Sequence, residues 1–154
     1  MQSKLMRVLQ EGEIRPVGSN QTRKIDVRVI SASSSSLSEL VAERKFREDL
    51  FYRLHVYPIM IPPLKSRVDD IPILAHRMLK KFNKQQGKTL KAVDDELLVF
   101  LQTRQWPGNV RELENLIERL VTLASPDAEL LTTDVLPMDV KDSAEREQPA
   151  TGAN

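Results

Sequence analysis

Three arginines, a run of serines and one sharp turn are the places where this sequence could do chemistry. In Trp106-Pro107-Gly108-Asn109-Val110-Arg111-Glu112-Leu113, the Pro-Gly pair ends one helix and Asn109 is a good N-cap for the next. Glu112, three residues on, is expected to reach back to the Asn109 amide as a capping box. Arg111 then lies in the first turn, where the helix dipole is already positive. A nearby anion would remove that conflict, so Arg111 is a candidate phosphate reader; the plainer reading is a tight turn with a surface arginine. Arg47 and Arg53 lie in Phe46-Arg47-Glu48-Asp49-Leu50-Phe51-Tyr52-Arg53-Leu54. Six residues apart, they point in different directions on an ideal helix and reach one ligand only if the helix end is irregular. Ser33 to Ser36 follow a strand-like run at its carboxyl end, where open α/β sheets bind ligands. A flexible serine loop is the alternative.

Other chemistries are excluded or weak. With no cysteine there are no disulfides or thiolate metal sites, and the isolated His55 and His76 do not make a metal cluster. No Ser/His/Asp, Cys/His or paired-carboxylate arrangement stands out. Gly87-Lys88-Thr89 looks like the end of a phosphate-binding P-loop, but the earlier glycine would fall at Phe82 and the segment follows a helix rather than a strand. The helices flanking the turn could be taken for a DNA-binding pair. The second carries Arg111 and Arg119 against Glu112, Glu114 and Glu118, a poor guest for a groove lined by phosphates.

The elements that must position these residues follow from pattern. Hydrophobic content of 40% and charged content of 29%, without a long apolar run or a signal-peptide pattern, fit a soluble cytoplasmic protein. Residues 1–92 carry 18 Lys+Arg against 9 Asp+Glu, and residues 93–154 carry 5 against 13. That asymmetry suits an anionic ligand or head-to-tail association, unless it is simply scattered solvated charge.

Leu5, Val8 and Leu9 share a helical face that Gly12 ends, and this uncapped helix reads as the remainder of a longer element. Lys24 to Ile30 alternates and then turns continuously apolar, as a strand entering a covered sheet does. Ser36 with Glu39 makes a capping box for the next helix. Phe46 to Leu54 reads as a short helix burying Phe46, Leu50, Phe51 and Leu54, and Val56 to Ile61 as a buried strand closed by Pro62-Pro63. Beyond that boundary three amphipathic helices, headed by Asp70, Asp94 and Asn109, form a small bundle. The end of the chain is polar and without aromatics, a disordered tail or linker.

Taken in order and spacing, Leu5 to Gly12, Ile14 to Gly18, Asp26 to Ile30, Phe46 to Leu54, Pro62 to Leu64 and Trp106 to Leu113 resemble one family. That family is the AAA+ domain of sigma-54-dependent transcriptional activators, and the likeness covers roughly residues 3–138. It implies an α/β fold: the C-terminal part of a P-loop AAA+ parallel-sheet core in residues 1–63, an all-helical lid in 64–138, and a tail or linker in 139–154.

By motif position, Arg47 and Arg53 would be arginine fingers acting in trans on the neighbouring subunit's ATP. Arg111 would be the second sensor, and Ser34 would stand where the first sensor usually has an asparagine. The parent family forms rings, uses ATP and Mg2+, and remodels the RNA polymerase–sigma-54 promoter complex. The glycine loop, the Asp-Glu metal and water site and the sigma-54-contacting loop would precede residue 1. The chain alone is therefore expected neither to bind nucleotide tightly nor to hydrolyse it, and not to bind DNA or membrane. The alternatives are a non-catalytic protein docking on an intact relative through its finger edge, or a truncated product without function.

Overall fold

The computed structural model describes residues 2–141. Two compact units divide the chain, Met1–Met60 and Ile61–Asn154.

In the first unit, α1 (Gln2–Glu11) ends at Gly12, whose φ of 63° lets its amide close back on the Val8 carbonyl. A short antiparallel pair follows, β1 (Glu13–Ile14) with β2 (Arg23–Lys24). The expected capping box at Ser36 is half made: its Oγ accepts from the Glu39 amide at 3.4 Å to open α2 (Leu37–Ala42). The next helix, α3 (Glu48–Leu54), starts two residues later than its apolar pattern suggests and buries Leu50, with Phe46, Phe51 and Leu54 half-buried. Gln2 joins α1 to the entry of α3, accepting from the Arg47 amide at 2.9 Å and donating to the Lys45 carbonyl at 3.3 Å.

The two longer strands expected here are not formed. Of the 24–30 run only Lys24 lies in a paired strand, and residues 56–61 carry no strand and lie open to solvent. A strand exists through the ladder it shares with a neighbour, and among the described residues 56–61 has no such neighbour while the ladder of the 24–30 run stops at its first residues. Val29, Ile30, Val56, Ile59 and Ile61 therefore stand exposed in spite of their strand-like sequence.

The second unit is built around one core. Two 3-10 turns, Leu64–Ser66 and Val68–Asp70, lead into α4 (Ile71–Gln86), followed by β3 (Ala92–Val93), α5 (Asp95–Thr103), α6 (Asn109–Leu123) and β4 (Leu130–Leu131). The stripe Ile71, Ala75, Met78, Leu79 and Phe82 of α4 packs against Leu113, Leu116, Ile117, Leu120 and Val121 of α6 within a core closed by Leu97 and Leu101. β3 and β4 pair in parallel, Ala92 with Leu130 and Val93 with Leu131, so the bundle carries one short sheet.

Asp94 caps α5 as expected, accepting from the Glu96 amide at 3.1 Å. Asp70 heads α4 differently. The preceding 3-10 turn already places it in helical backbone, and its carboxylate faces Arg67 at 3.4 Å instead of the helix amides. Gly87, with φ of 67°, is the left-handed residue that ends α4, and Lys88 Nζ donates to the Ala124 carbonyl at 2.6 Å. Gly87-Lys88-Thr89 is thus a helix end.

The tail reading needs correction at its start. Residues 138–141 are helical, Val140 is buried in the core, and Asp139 forms a two-bonded ion pair with Arg119 at 2.9 and 3.0 Å. The apolar Val140 draws this turn onto the bundle. Residues 142–154 lie outside the described residues.

Candidate functional site

The turn at Trp106 is held from inside. Its indole, almost fully buried, donates from Nε1 to the Leu101 carbonyl at 2.8 Å, and the Arg104 guanidinium lies 5.5 Å from the ring centroid. The cap lies one residue earlier than expected. Gly108 is the N-cap of α6, and Glu112 Oε2 accepts from the Gly108 amide at 2.9 Å rather than from Asn109. Asn109 has φ of 52°, and its Oδ1 turns away from the helix to accept from the Leu64 amide at 2.8 Å. With its backbone left-handed and its Oδ1 aimed at Leu64, Asn109 makes no cap on α6, and Glu112 takes the Gly108 amide.

Glu112 does more than close the cap. Its Oε1 accepts from Arg104 at 3.3 Å, in a pair where the arginine side chain is only 12% exposed. A Cβ on Gly108 would stand 2.8 Å from the Glu112 Cβ, so glycine is required there by packing, its φ being ordinary. From this turn Arg111 extends into solvent, with no ion pair among the described residues.

Arg47 and Arg53 occupy the two ends of α3. Arg47 is its N-cap in extended backbone (φ −74°, ψ 134°), and Arg53 is in its last turn; both are exposed. Arg47 thus stands before the helix rather than on it, so the ideal-helix spacing of the pair does not apply. The Arg47 guanidinium grips Asp49, Nε to Oδ1 at 3.0 Å and NH2 to Oδ2 at 2.7 Å. That bond holds the Asp49 carboxyl below its ordinary value and raises Arg47 above its own. Beside them an open groove of about 690 Å3 is lined by Gln2, Arg44, Lys45, Phe46, Arg47 and Glu48 among others. Arg44 borders it with φ of 57°, unusual for a residue with a side chain.

Ser34 lies exposed in a bend, where the neighbouring Ser33 Oγ accepts from the Ser35 amide at 3.2 Å and donates to the Ser35 carbonyl at 2.8 Å. The structure thus places Arg47, Arg53 and Ser34 in the first unit and Arg111 in the second. Four features escape a reading of the sequence: the Gln2 tie, the Asp49 grip, the left-handed Arg44 and the Asn109–Leu64 bond. Only the second had a signal, an acid two residues from the arginine.

Exposed guanidinium groups are chemically suited to phosphate oxygens, and Arg111 makes no ion pair among the described residues. No three His, Cys, Asp or Glu among the described residues are grouped to hold a metal ion.

Residues 1–60 match the profile of the sigma-54 interaction domain, and residues 65–153 that of the AAA+ ATPase lid domain. This chain belongs to the sigma-54-dependent activators. The Nif-specific regulatory protein of Bradyrhizobium diazoefficiens is 51% identical over 80% of this chain and 21% of its own length. The formate hydrogenlyase transcriptional activator FhlA of Escherichia coli is 49% identical over 80% and 18%. The phenol regulator MopR of Acinetobacter guillouiae is 43% identical over 88% and 24%.

Among solved structures, NtrX of Brucella abortus in complex with ADP superposes with a TM-score of 0.78 at 38% identity, covering 97% of this chain and 34% of that one. Its complex with ATP gives the same TM-score at 37% identity. This sigma-54 activator segment therefore has the α/β AAA+ fold with its helical lid, and it spans about a fifth to a quarter of the curated relatives it matches. No helix among its described residues is long and apolar enough to cross a membrane.

Proposed function

We propose that this chain supplies the arginine fingers and the lid of a cytoplasmic ring ATPase that acts on the RNA polymerase–sigma-54 promoter complex. The observation that carries the reading is the presentation of Arg47 and Arg53, exposed at the two ends of one helix that Gln2 and Leu50 anchor. Two strand-like segments with exposed apolar residues, 25–30 and 56–61, add to it: they suit a larger sheet supplied by the remainder of an ATPase domain.

ATP, when bound, supplies phosphate oxygens on which negative charge builds during transfer. Arg47 and Arg53 would be the residues that hold such charge on a neighbouring subunit's nucleotide, Arg47 exchanging its Asp49 partner for phosphate. Arg111 would bind phosphate from within its own subunit. Ser34, at the first-sensor position, has a single hydroxyl with which to contact phosphate, one donor against the two of an asparagine amide. The metal site, the nucleotide cradle and the sigma-54 contact are assigned to parts of the protein outside this chain, which alone is not expected to turn over ATP.

Subunit mixing tests the division of labour in the complete ATPase domain bearing this segment. Arg53→Ala removes a finger and Arg111→Ala a sensor, each abolishing most activity. In a one-to-one mixture about a quarter of the interfaces combine an intact sensor with an intact finger from the neighbour, so about a quarter of the activity returns. If Arg53 and Arg111 serve the same subunit's nucleotide, the mixture recovers nothing.

A further inference from the structure

Asn109 combines two features that a simple helix start does not need. Its backbone is left-handed, φ 52°, a conformation that asparagine tolerates better than most residues with a side chain. That twist aims its Oδ1 at the amide of Leu64, 45 residues earlier in the chain, at 2.8 Å. Leu64 is fully buried and is the first buried residue after the exposed run 55–63, so it is where the chain enters the lid.

On the other side of the bond the turn is locked three times over. The Asn109 amide donates to the Trp106 carbonyl at 2.9 Å, Glu112 receives the Gly108 amide at 2.9 Å, and the same carboxylate receives Arg104 at 3.3 Å. Arg111 sits two residues after Asn109, and its own side chain has no such support among the described residues.

We propose that Asn109 is a positioning residue: it fastens the entry of the lid to the first turn of α6, so that Leu64, the turn and the backbone under Arg111 form one rigid piece. The consequence is that Arg111 meets phosphate in a pre-set place and loses less freedom on doing so. The inference rests on the reading of Arg111 as a phosphate contact. It does not require Asn109 to touch nucleotide.

The test uses Asn109→Gly, which keeps the left-handed backbone and removes the acceptor, and Asn109→Asp, which keeps both. In the complete ATPase domain, fluorescent ADP (mant-ADP) is titrated at equilibrium. Arg111→Ala and Asn109→Gly should each weaken binding about tenfold, in line with a charge-assisted hydrogen bond lost or misplaced. Asn109→Asp should stay within about twofold, and Asn109→Gly should add nothing on the Arg111→Ala background.

A tenfold loss that persists without Arg111, or no loss at all, overturns the positioning role. If Arg111→Ala itself leaves binding unchanged, the reading of Arg111 fails and the proposal falls with it. Hydrogen exchange of the 154-residue chain checks the latch apart from nucleotide: Asn109→Gly should speed exchange of the Leu64 amide at least about tenfold while the middle of α6 stays protected. An unchanged Leu64 amide also overturns it.

Discussion

The second unit carries its own core and should unfold as a cooperative piece, and Leu113→Ala is the perturbation that measures this. Leu113 is fully buried between α4 and α6. Truncating such a leucine costs about 3 kcal/mol, the sum of lost transfer energy and the cavity left behind. A folded segment of about 80 residues has an unfolding entropy near 0.17 kcal/mol/K, so the melting temperature should fall by about 18 °C. Val99→Ala, on the exposed side of α5, is the control and should move it by no more than about 3 °C.

The assay is thermal unfolding of residues 61–154 by far-UV circular dichroism, repeated on the full chain. Hydrogen exchange on the full chain should place the strongest protection in α4 and α6 and little in residues 25–30 and 56–61. Two results would refute the reasoning. One is a fragment 61–154 without a cooperative transition. The other is protection of residues 25–30 and 56–61 equal to that of α6, which would mean that those segments have found strand partners.

Two further outcomes follow from local geometry in the first unit. At Arg44 the left-handed backbone favours glycine over alanine, partly offset by glycine's larger unfolded-state freedom, so Arg44→Gly should be more stable than Arg44→Ala by about 0.5–1 kcal/mol in urea unfolding of the complete domain. At Asp49 the folded carboxyl is depressed, chiefly by its bond to Arg47, so its contribution is present above the unfolded carboxylate range and is lost as pH falls through the lower folded value. NMR titration should find the Asp49 midpoint below that of an ordinary aspartate, and Arg47→Ala should move it up; an unmoved midpoint would mean that the grip is not held in solution.

The helical lid was legible because helices are written locally. The apolar spacing of the helix after Asp70 and the cap at Asp94 each act within a few residues, and the structure has both helices. Of the apolar positions Ile73, Leu74, Met78, Leu79 and Phe82 that the sequence offers for the first, the last three are buried, while Ile73 stands exposed and Ile71 and Ala75 complete the stripe. Arg53 and Arg111 lie on helices as their sequences suggest, whereas Arg47 stands at the cap before α3, and the partners were not legible. Arg47 is gripped by Asp49, and Arg111 stands on a turn whose decisive bond comes from Leu64, far away in sequence. The off-by-one cap has the same origin: asparagine is both a good N-cap and a good left-handed residue, and only the position of a distant amide decides between the two.

Residues 24–30 and 56–61 mark the opposite limit. Their alternation and apolar runs specify strands, but a strand's hydrogen bonds belong to its neighbour as much as to itself. Among the described residues, segments 26–30 and 56–61 are given no strand neighbour, so the pattern remains while the strand does not form. A sequence pattern that stays unsatisfied inside its own fold, on a chain covering about a quarter or less of its relatives, suits a partner sheet such as the proposed ATPase domain would supply. In a protein that supplies such a sheet Ile30 and Ile59 should become buried, whereas the core around Leu97, Leu113 and Ile117, already fully buried, should be unchanged.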